Sequence, residues 1–397
     1  MNVHSPRHTL TPSLLTTALL LAFVPPAAAE DDELAQLLTP QNEVRVGIGY
    51  VDKSDMRFGQ YNGLERSKIY GLFDVEYLSR DTATGTWISV SGLRLGLDTR
   101  ELRAAYDRQG DFGVSIDYSR IPRVEPLTFT TGLSGIGTAA QAINGETPRD
   151  VVLSTVRDRV TFGVNKRLGE RVDVQLRLRQ EEKDGARLFG RGTGTFLTEP
   201  IDSRTRQFEA SVGYTGEQFQ VLGGYYATAY NNRNRFIDVA TGTDISLAPD
   251  NESHQVYVAG GYSITPSTRT TFKLAYSRGR QNDQFFIAPD FPGNEQTSLH
   301  GKVETTSAQL GLTARPLPAL SLVANVRYED RDDKTPRHQF LTATTGRDGF
   351  NTPFSRTTTA ARLEASYRLP EGMQVVGGVD AERRKRTPLS IRQASWR

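Results

Sequence analysis

The run Val172-Asp173-Val174-Gln175-Leu176-Arg177-Leu178-Arg179 decides how this chain folds. Aliphatic side chains alternate strictly with charged or amide ones. A β-strand, whose successive side chains point to opposite faces, turns that order into one apolar and one polar surface. The pattern recurs along the chain. Phe208, Ala210, Val212 and Tyr214 oppose Gln207, Glu209, Ser211 and Gly213, and Phe272, Leu274 and Tyr276 oppose Lys273, Ala275 and Ser277. Ala361, Leu363, Ala365 and Tyr367 oppose Arg362, Glu364, Ser366 and Arg368. Val44, Val46, Ile48 and Tyr50 open the series, and Phe112, Val114, Ile116 and Tyr118 repeat it.

Read this way, the chain predicts strands over 43–51, 69–79, 85–95, 99–107, 111–119, 156–166, 171–181, 205–215, 218–228, 254–264, 268–278, 303–314, 319–329, 357–368 and 373–384. Most are about ten residues long, enough for a tilted strand to cross a bilayer. The links sort by parity. Even-numbered strands are followed by short links (80–84, 108–110, 167–170, 216–217, 265–267, 315–318, 369–372). Odd-numbered strands are followed by long ones (52–68, 120–155, 182–204, 229–253, 279–302, 330–356), with 96–98 the exception. A soluble sandwich has no reason to sort its loops, whereas a barrel entered from the periplasm has tight inner turns and long outer loops.

The expectation is therefore an all-β, transmembrane antiparallel up-and-down β-barrel of 15–16 strands. Its aliphatic face would meet lipid, and its charged face would line the lumen. Tyr77, Tyr214, Tyr262 and Tyr367 would form an inner aromatic girdle, and Tyr50, Tyr118, Tyr276 and Tyr328 an outer one. The lumen side is expected to carry Asp173, Arg177, Arg179, Glu209, Lys273, Arg327, Arg362 and Glu364. The long loops, rich in Gly, Asn, Asp, Thr and Arg, read as solvated surface.

Ahead of the strands, Leu14 to Val24 is an apolar stretch followed by Pro25-Pro26-Ala27-Ala28-Ala29, with small residues where signal peptidase needs them. Residues 1–29 read as a signal peptide cut before Glu30, 30–42 as a short periplasmic segment, and 43–397 as the barrel, placed in the bacterial outer membrane. The 397 residues contain 48 basic and 46 acidic side chains, a balance that speaks against nucleic acid as a partner. With no Cys, the chain has neither disulfides nor a site for covalent haem, so no cofactor is expected on it.

The sequence gives little sign of an enzyme or a metal site. His254, near Ser253 and Ser263, is the sole candidate for a hydrolase pair. Gly132-Leu133-Ser134-Gly135-Ile136-Gly137 imitates a nucleotide loop but lacks the strand–turn–helix around it and reads as a flexible outer loop. Arg383-Arg384-Lys385-Arg386 reads as a solvated rim.

One region carries more than a barrel rhythm. Phe58-Gly59-Gln60-Tyr61-Asn62-Gly63-Leu64, with Val46-Gly47-Ile48-Gly49-Tyr50 before it, is followed by Gly96-Leu97-Asp98-Thr99-Arg100, Tyr106-Asp107-Arg108-Gln109-Gly110-Asp111-Phe112 and Asp117-Tyr118-Ser119-Arg120-Ile121-Pro122. This resembles the N-terminal third of the MtrB/PioB family, the barrels of porin–cytochrome conduits. The resemblance implies a barrel that sheathes a periplasmic decahaem c-type cytochrome and carries electrons across the outer membrane for extracellular iron or metal redox. An extracellular cytochrome would be a further partner, and outer-membrane lipid would surround the wall. The alternative reading is a general diffusion porin with a charged lumen.

The chain departs from the family in lacking the Cys pair some members carry near the N-terminus. Its odd strand count and its end at Ala394-Ser395-Trp396-Arg397, without a terminal aromatic, predict a chain truncated at its C-terminus. Sixteen strands would have the width of a porin, narrower than the family's barrels.

Overall fold

The computed structural model describes residues 42–143, 145–190, 196–240, 244–285, 296–342 and 347–387. The signal peptide expected over 1–29, residues 30–41 of the segment after it, and the C-terminus at 388–397 lie outside the described residues. In chain order the strands are β1 (Glu43–Val51), β2 (Lys68–Asp81), β3 (Thr86–Leu93), β4 (Glu101–Arg108), β5 (Phe112–Thr131), β6 (Ala140–Gln141) and β7 (Arg149–Leu168). There follow β8 (Val172–Gly190), β9 (Phe196–Thr215), β10 (Phe219–Asn232), β11 (Phe236–Val239), β12 (Ile245–Ser246) and β13 (Asn251–Thr265). The last are β14 (Thr268–Gln281), β15 (Gly301–Leu317), β16 (Leu320–Asp333), β17 (Gln339–Thr342), β18 (Arg347–Phe350), β19 (Arg356–Arg368) and β20 (Gln374–Arg386).

Fifteen of these form one sheet in which each strand pairs with the next of the fifteen along the chain, always antiparallel: β1-β2-β3-β4-β5-β7-β8-β9-β10-β13-β14-β15-β16-β19-β20. That is the up-and-down order, and the fifteen strands correspond one for one to those predicted. Among the described residues β1 and β20 are the sheet's edges. The links after β1, β5, β10, β14 and β16 are long, as the parity predicts, while the β3–β4 link (94–100) and the β8–β9 link (191–195, predicted to be long) are short; the sheet still has a short-turn end and a long-loop end.

The register explains the alternation. Leu178 faces Phe162 and Phe208, Leu274 faces Val258 and Ala308, and Leu363 faces Ala324 and Val379, all on one face. All eight girdle tyrosines share it. This face is open to its surroundings: Ile48 is 83% exposed and Val379 68%. In water so extended an apolar surface would drive association, at about 25 cal/mol for each Å² left uncovered; in a bilayer it is solvated by acyl chains.

The main departure from the sequence reading is length. β5, β7 and β9 each run to 20 residues, where 9–11 were predicted, and the additions lie at the long-loop end. Stretches 120–155 and 182–204, read as loops, are largely strand. The apolar period stops where the bilayer stops, but the hydrogen-bond ladder continues, now carried by polar cross-strand pairs. Arg187 Nε binds Glu199 Oε2 at 2.5 Å and Arg204 Nη2 binds Glu182 Oε1 at 2.6 Å.

The buried hydrophobic residues, Tyr70, Leu97, Val124, Leu133, Leu153, Ala186, Leu197, Ile237 and Val239, all lie at the long-loop end. Four of them, Leu133, Leu197, Ile237 and Val239, form a closed cluster with Ile136, Ile143, Phe189, Ile245 and Leu247 packed around it. The small sheet β12-β11-β6 frames this cap. Gln141, 2% exposed, ties it to β9: its amide nitrogen donates to the Thr198 carbonyl at 2.5 Å and its oxygen accepts from the Thr198 N–H at 3.0 Å. These loops are thus built structure with a core of their own. Gly132–Gly137, expected to be flexible, supplies two of the cap's apolar residues and turns back through a Thr138 N–H to Gly135 carbonyl bond at 3.0 Å.

Candidate functional site

The polar face starts from the residues the alternation singled out. Asp173 pairs across the sheet with Gly213, then Leu222, Ala259, Lys273, Gln309, Arg327 and Ala360, forming one row from β8 to β19. Arg177 lies opposite Glu209, and Arg362 and Glu364 stand two and four residues beyond Ala360. All eight residues therefore share the face opposite the aliphatic one.

Four of the eight, Asp173, Arg327, Arg362 and Glu364, are held in ion pairs, and Arg179 is held by a neutral amide. Asp173 accepts from Arg167 Nε at 3.2 Å, Arg179 Nη1 donates to Gln207 at 3.3 Å, and Arg362 Nη2 meets Glu364 at 2.6 Å. Arg327 holds Glu329 at 2.7 Å, and Glu329 also takes Arg356 at 2.7 Å. Such pairs contribute little stability on an exposed surface, but they hold long side chains against the wall.

The sequence reading missed Glu329, Arg159, Glu181, Arg103 and Asp117 on this face. Arg159 meets Glu181 at 2.9 Å, and Arg103 meets Asp117 at 3.2 Å. Arg103, Asp117, Arg159, Arg177 and Arg179 line an open cleft of about 520 Å³. All five fall within the strands predicted from the sequence, at positions that alternate with the aliphatic ones, and that alternation was the available signal.

The segment Phe58–Leu64 is a compact turn between β1 and β2. Asp55 starts it, its carboxylate accepting from the Arg57 and Phe58 N–H groups at 2.8 and 3.1 Å. Asn62 closes it, donating to the Phe58 carbonyl and accepting from the Leu64 N–H, both at 2.9 Å. Gly63 has φ +74°, which a side chain would strain, and it packs on Asp98. The Gln60 carbonyl receives the Val124 N–H at 2.9 Å, and the Asn62 carbonyl receives the Thr99 hydroxyl at 3.5 Å. The two segments that stand out in sequence, around 58–64 and 96–100, are thus one folded unit clamped to the extension of β5. Phe58 and Tyr61 remain more than half exposed on it.

The remaining candidates are placed as follows. The His254 Nδ1 is engaged by the Tyr225 hydroxyl at 2.6 Å, and Ser253, one residue away on the strand, is turned to the opposite face, so the two do not form a hydrolase pair. Arg383 to Arg386 lie at the long-loop end of β20, opposite Thr359 to Arg356. At the short-turn end, the Lys166 ammonium bonded to Asp111 holds that carboxyl below its ordinary range.

Comparison with known proteins agrees with this geometry. The model of the outer membrane beta-barrel porin family MtrB/PioB matches residues 50–395. The outer membrane protein MtrB of Shewanella baltica is 24% identical over 376 residues, covering 86% of this chain and 54% of that protein. The chain thus spans about half the length of this relative. Among solved structures, the copper transporter OprC has a TM-score of 0.44 at 12% identity, covering 86% of this chain and 57% of its own. The ferric yersiniabactin uptake receptor FyuA of Yersinia pestis has 0.41 at 13%, covering 81% and 60%. At these scores the likeness is too loose to carry even a strand number. The family match spans nearly the whole described sheet, its apolar face, girdles and sorted loops included: this chain belongs to the MtrB/PioB family of outer membrane β-barrel porins.

Proposed function

We propose that this barrel wall sheathes a periplasmic multihaem c-type cytochrome, decahaem in the family's pattern, and so serves electron transfer across the outer membrane. The single observation that supports the reading is the register, which puts Asp173, Arg177, Arg179, Glu209, Lys273, Arg327, Arg362 and Glu364 on the face opposite the aliphatic one. That face is a dense array of both signs held close to the wall, suited to docking a charged protein surface by complementarity. The haems, which supply the redox chemistry, would be carried by the partner, since their thioether attachment needs Cys and this chain has none. The chain's own share is insulation and position. Its aliphatic outer face and hydrogen-bonded wall keep lipid and ions from the partner, and its charges fix the partner's orientation. A second cytochrome would dock at the long-loop end, where Phe58 and Tyr61 are exposed on a hydrogen-bonded turn.

The test is to purify the tagged chain from solubilised outer membranes and record its visible spectrum. A c-type Soret band co-eluting with a polypeptide that has no Cys supports the proposal. A folded, heat-modifiable protein without haem, taken from cells that make the cytochrome, overturns it in favour of a passive porin, which steady single-channel conductance would then reveal.

A further inference from the structure

The apolar face is not uniform. On β10 the short side chains of Ala227 and Ala229 lie between Phe208 and Leu178 on one side and His254 on the other, leaving an open crevice of about 400 Å³. Its upper border is charged. Pairing puts Arg206, Ala229, Glu252 and Arg280 in one row across β9, β10, β13 and β14. The row beneath, toward the membrane centre, reads Phe208, Ala227, His254 and Arg278. On β14, Arg278 and Arg280 lie two and four residues beyond girdle Tyr276 toward the long-loop end, the height of the outer headgroups. Three strand spacings of about 4.8 Å set the Arg206 and Arg280 backbones roughly 14 Å apart. Neither guanidinium is in an ion pair among the described residues, unlike Arg204 and Arg278 beside them.

We propose that this crevice binds a phosphorylated glycolipid of the outer leaflet. One phosphate sits on Arg206 and a second, at the far end of the sugar headgroup, on Arg280. Guanidinium forks match phosphate oxygens in pairs, and such charge-assisted bonds are roughly twice as strong as neutral ones. Glu252 stands between the two. It repels a phosphate placed centrally but accepts hydrogen bonds from sugar hydroxyls, so the site selects two separated phosphates over one. An acyl chain lies in the trough over Ala227 and Ala229, against Phe208 and Leu178. The site is independent of whatever fills the lumen.

The test is a titration of the full chain, purified in mild detergent, with diphosphorylated lipid A, read by native mass spectrometry. The expected result is one saturable lipid per chain, with binding at least tenfold weaker for phosphatidylglycerol and for the monophosphorylated form. Arg206→Ala with Arg280→Ala should lose at least tenfold. Ala227→Trp, which fills the trough and keeps both arginines, should lose as much, while Arg315→Ala at the other end of the wall should lose nothing. Unheated gel mobility confirms that each variant is folded. Undiminished binding in the folded double variant, or equal binding of phosphatidylglycerol, overturns the proposal.

Discussion

Replacing Ile237 by Ala tests whether the cap at the long-loop end is a folding unit with its own core. Ile237 is fully buried beside Leu133, Leu197 and Val239. The change removes three carbons, about 2.5 kcal/mol of transfer free energy at roughly 0.8 kcal/mol each, and the cavity left behind brings the loss to about 3–4 kcal/mol. A cluster this small has little stability in reserve, whereas the wall is held by a ladder of fifteen strands that the cluster meets only at the far ends of β8 and β9, through Phe189 and Leu197. About 3 kcal/mol corresponds to roughly a hundredfold rise in the locally open population. The assay is tryptic cleavage after Arg233 and Arg235 in outer-membrane vesicles, with cut sites mapped by mass spectrometry. Cleavage follows the open population when reclosing is fast, so it should rise by about two orders of magnitude while the unheated band keeps its folded mobility. An unchanged cleavage rate would refute the existence of a separate core. Joint loss of the folded band would refute its independence from the wall.

Gly96→Ala drives a Cβ into the Gly71 carbonyl, a backbone neighbour that cannot swing aside, and should cost about 3 kcal/mol. It should detach the Phe58–Leu64 turn and expose Arg57 and Arg66 to trypsin, as peptide mapping would read. Arg177→Glu sets two carboxylates opposite each other at the Glu209 pair; it should weaken cytochrome retention, with Glu209→Arg restoring it, and equal haem content in all three proteins would exclude a role for the pair. Asp111 is held below its ordinary range by Lys166, so its contribution to stability is present above the unfolded-state value of 3.8 and fades as pH falls through the lower folded one. Urea unfolding in detergent should accordingly separate Asp111→Asn from the parent at pH 7 and bring the two together in strong acid; a gap that persists there contradicts the assignment.

Strand number and order were legible in the sequence because a barrel wall has two solvents: each strand must alternate, and Val172 to Arg179 does so without exception. Strand ends were not. Beyond the headgroups the extensions of β7, β8 and β9 no longer face lipid, strict alternation is not required, and residues such as Glu182, Lys183 and Arg204 read as loop although they sit in the ladder. The cap was hidden for a related reason. Leu133, Leu197 and Ile237 belong to apolar fragments too short to show a period within polar stretches, and they form a core only when three segments distant in sequence meet. The Phe58–Leu64 and Gly96–Arg100 segments were conspicuous as motifs, but their contact through Asn62, Gly63, Asp98 and Thr99 was not readable from spacing.

The chain's order of residues by itself determined the alternation, the sorted loops, the girdles and the identity of the charged face, because these follow from a period of two read strand by strand against a bilayer. Only the tertiary structure decided which charges pair, where the buried core lies, and that Arg206 and Arg280 share one row across four strands. Those depend on register between strands that are far apart in sequence, and a shift of one residue in any pairing would send each side chain to the other face.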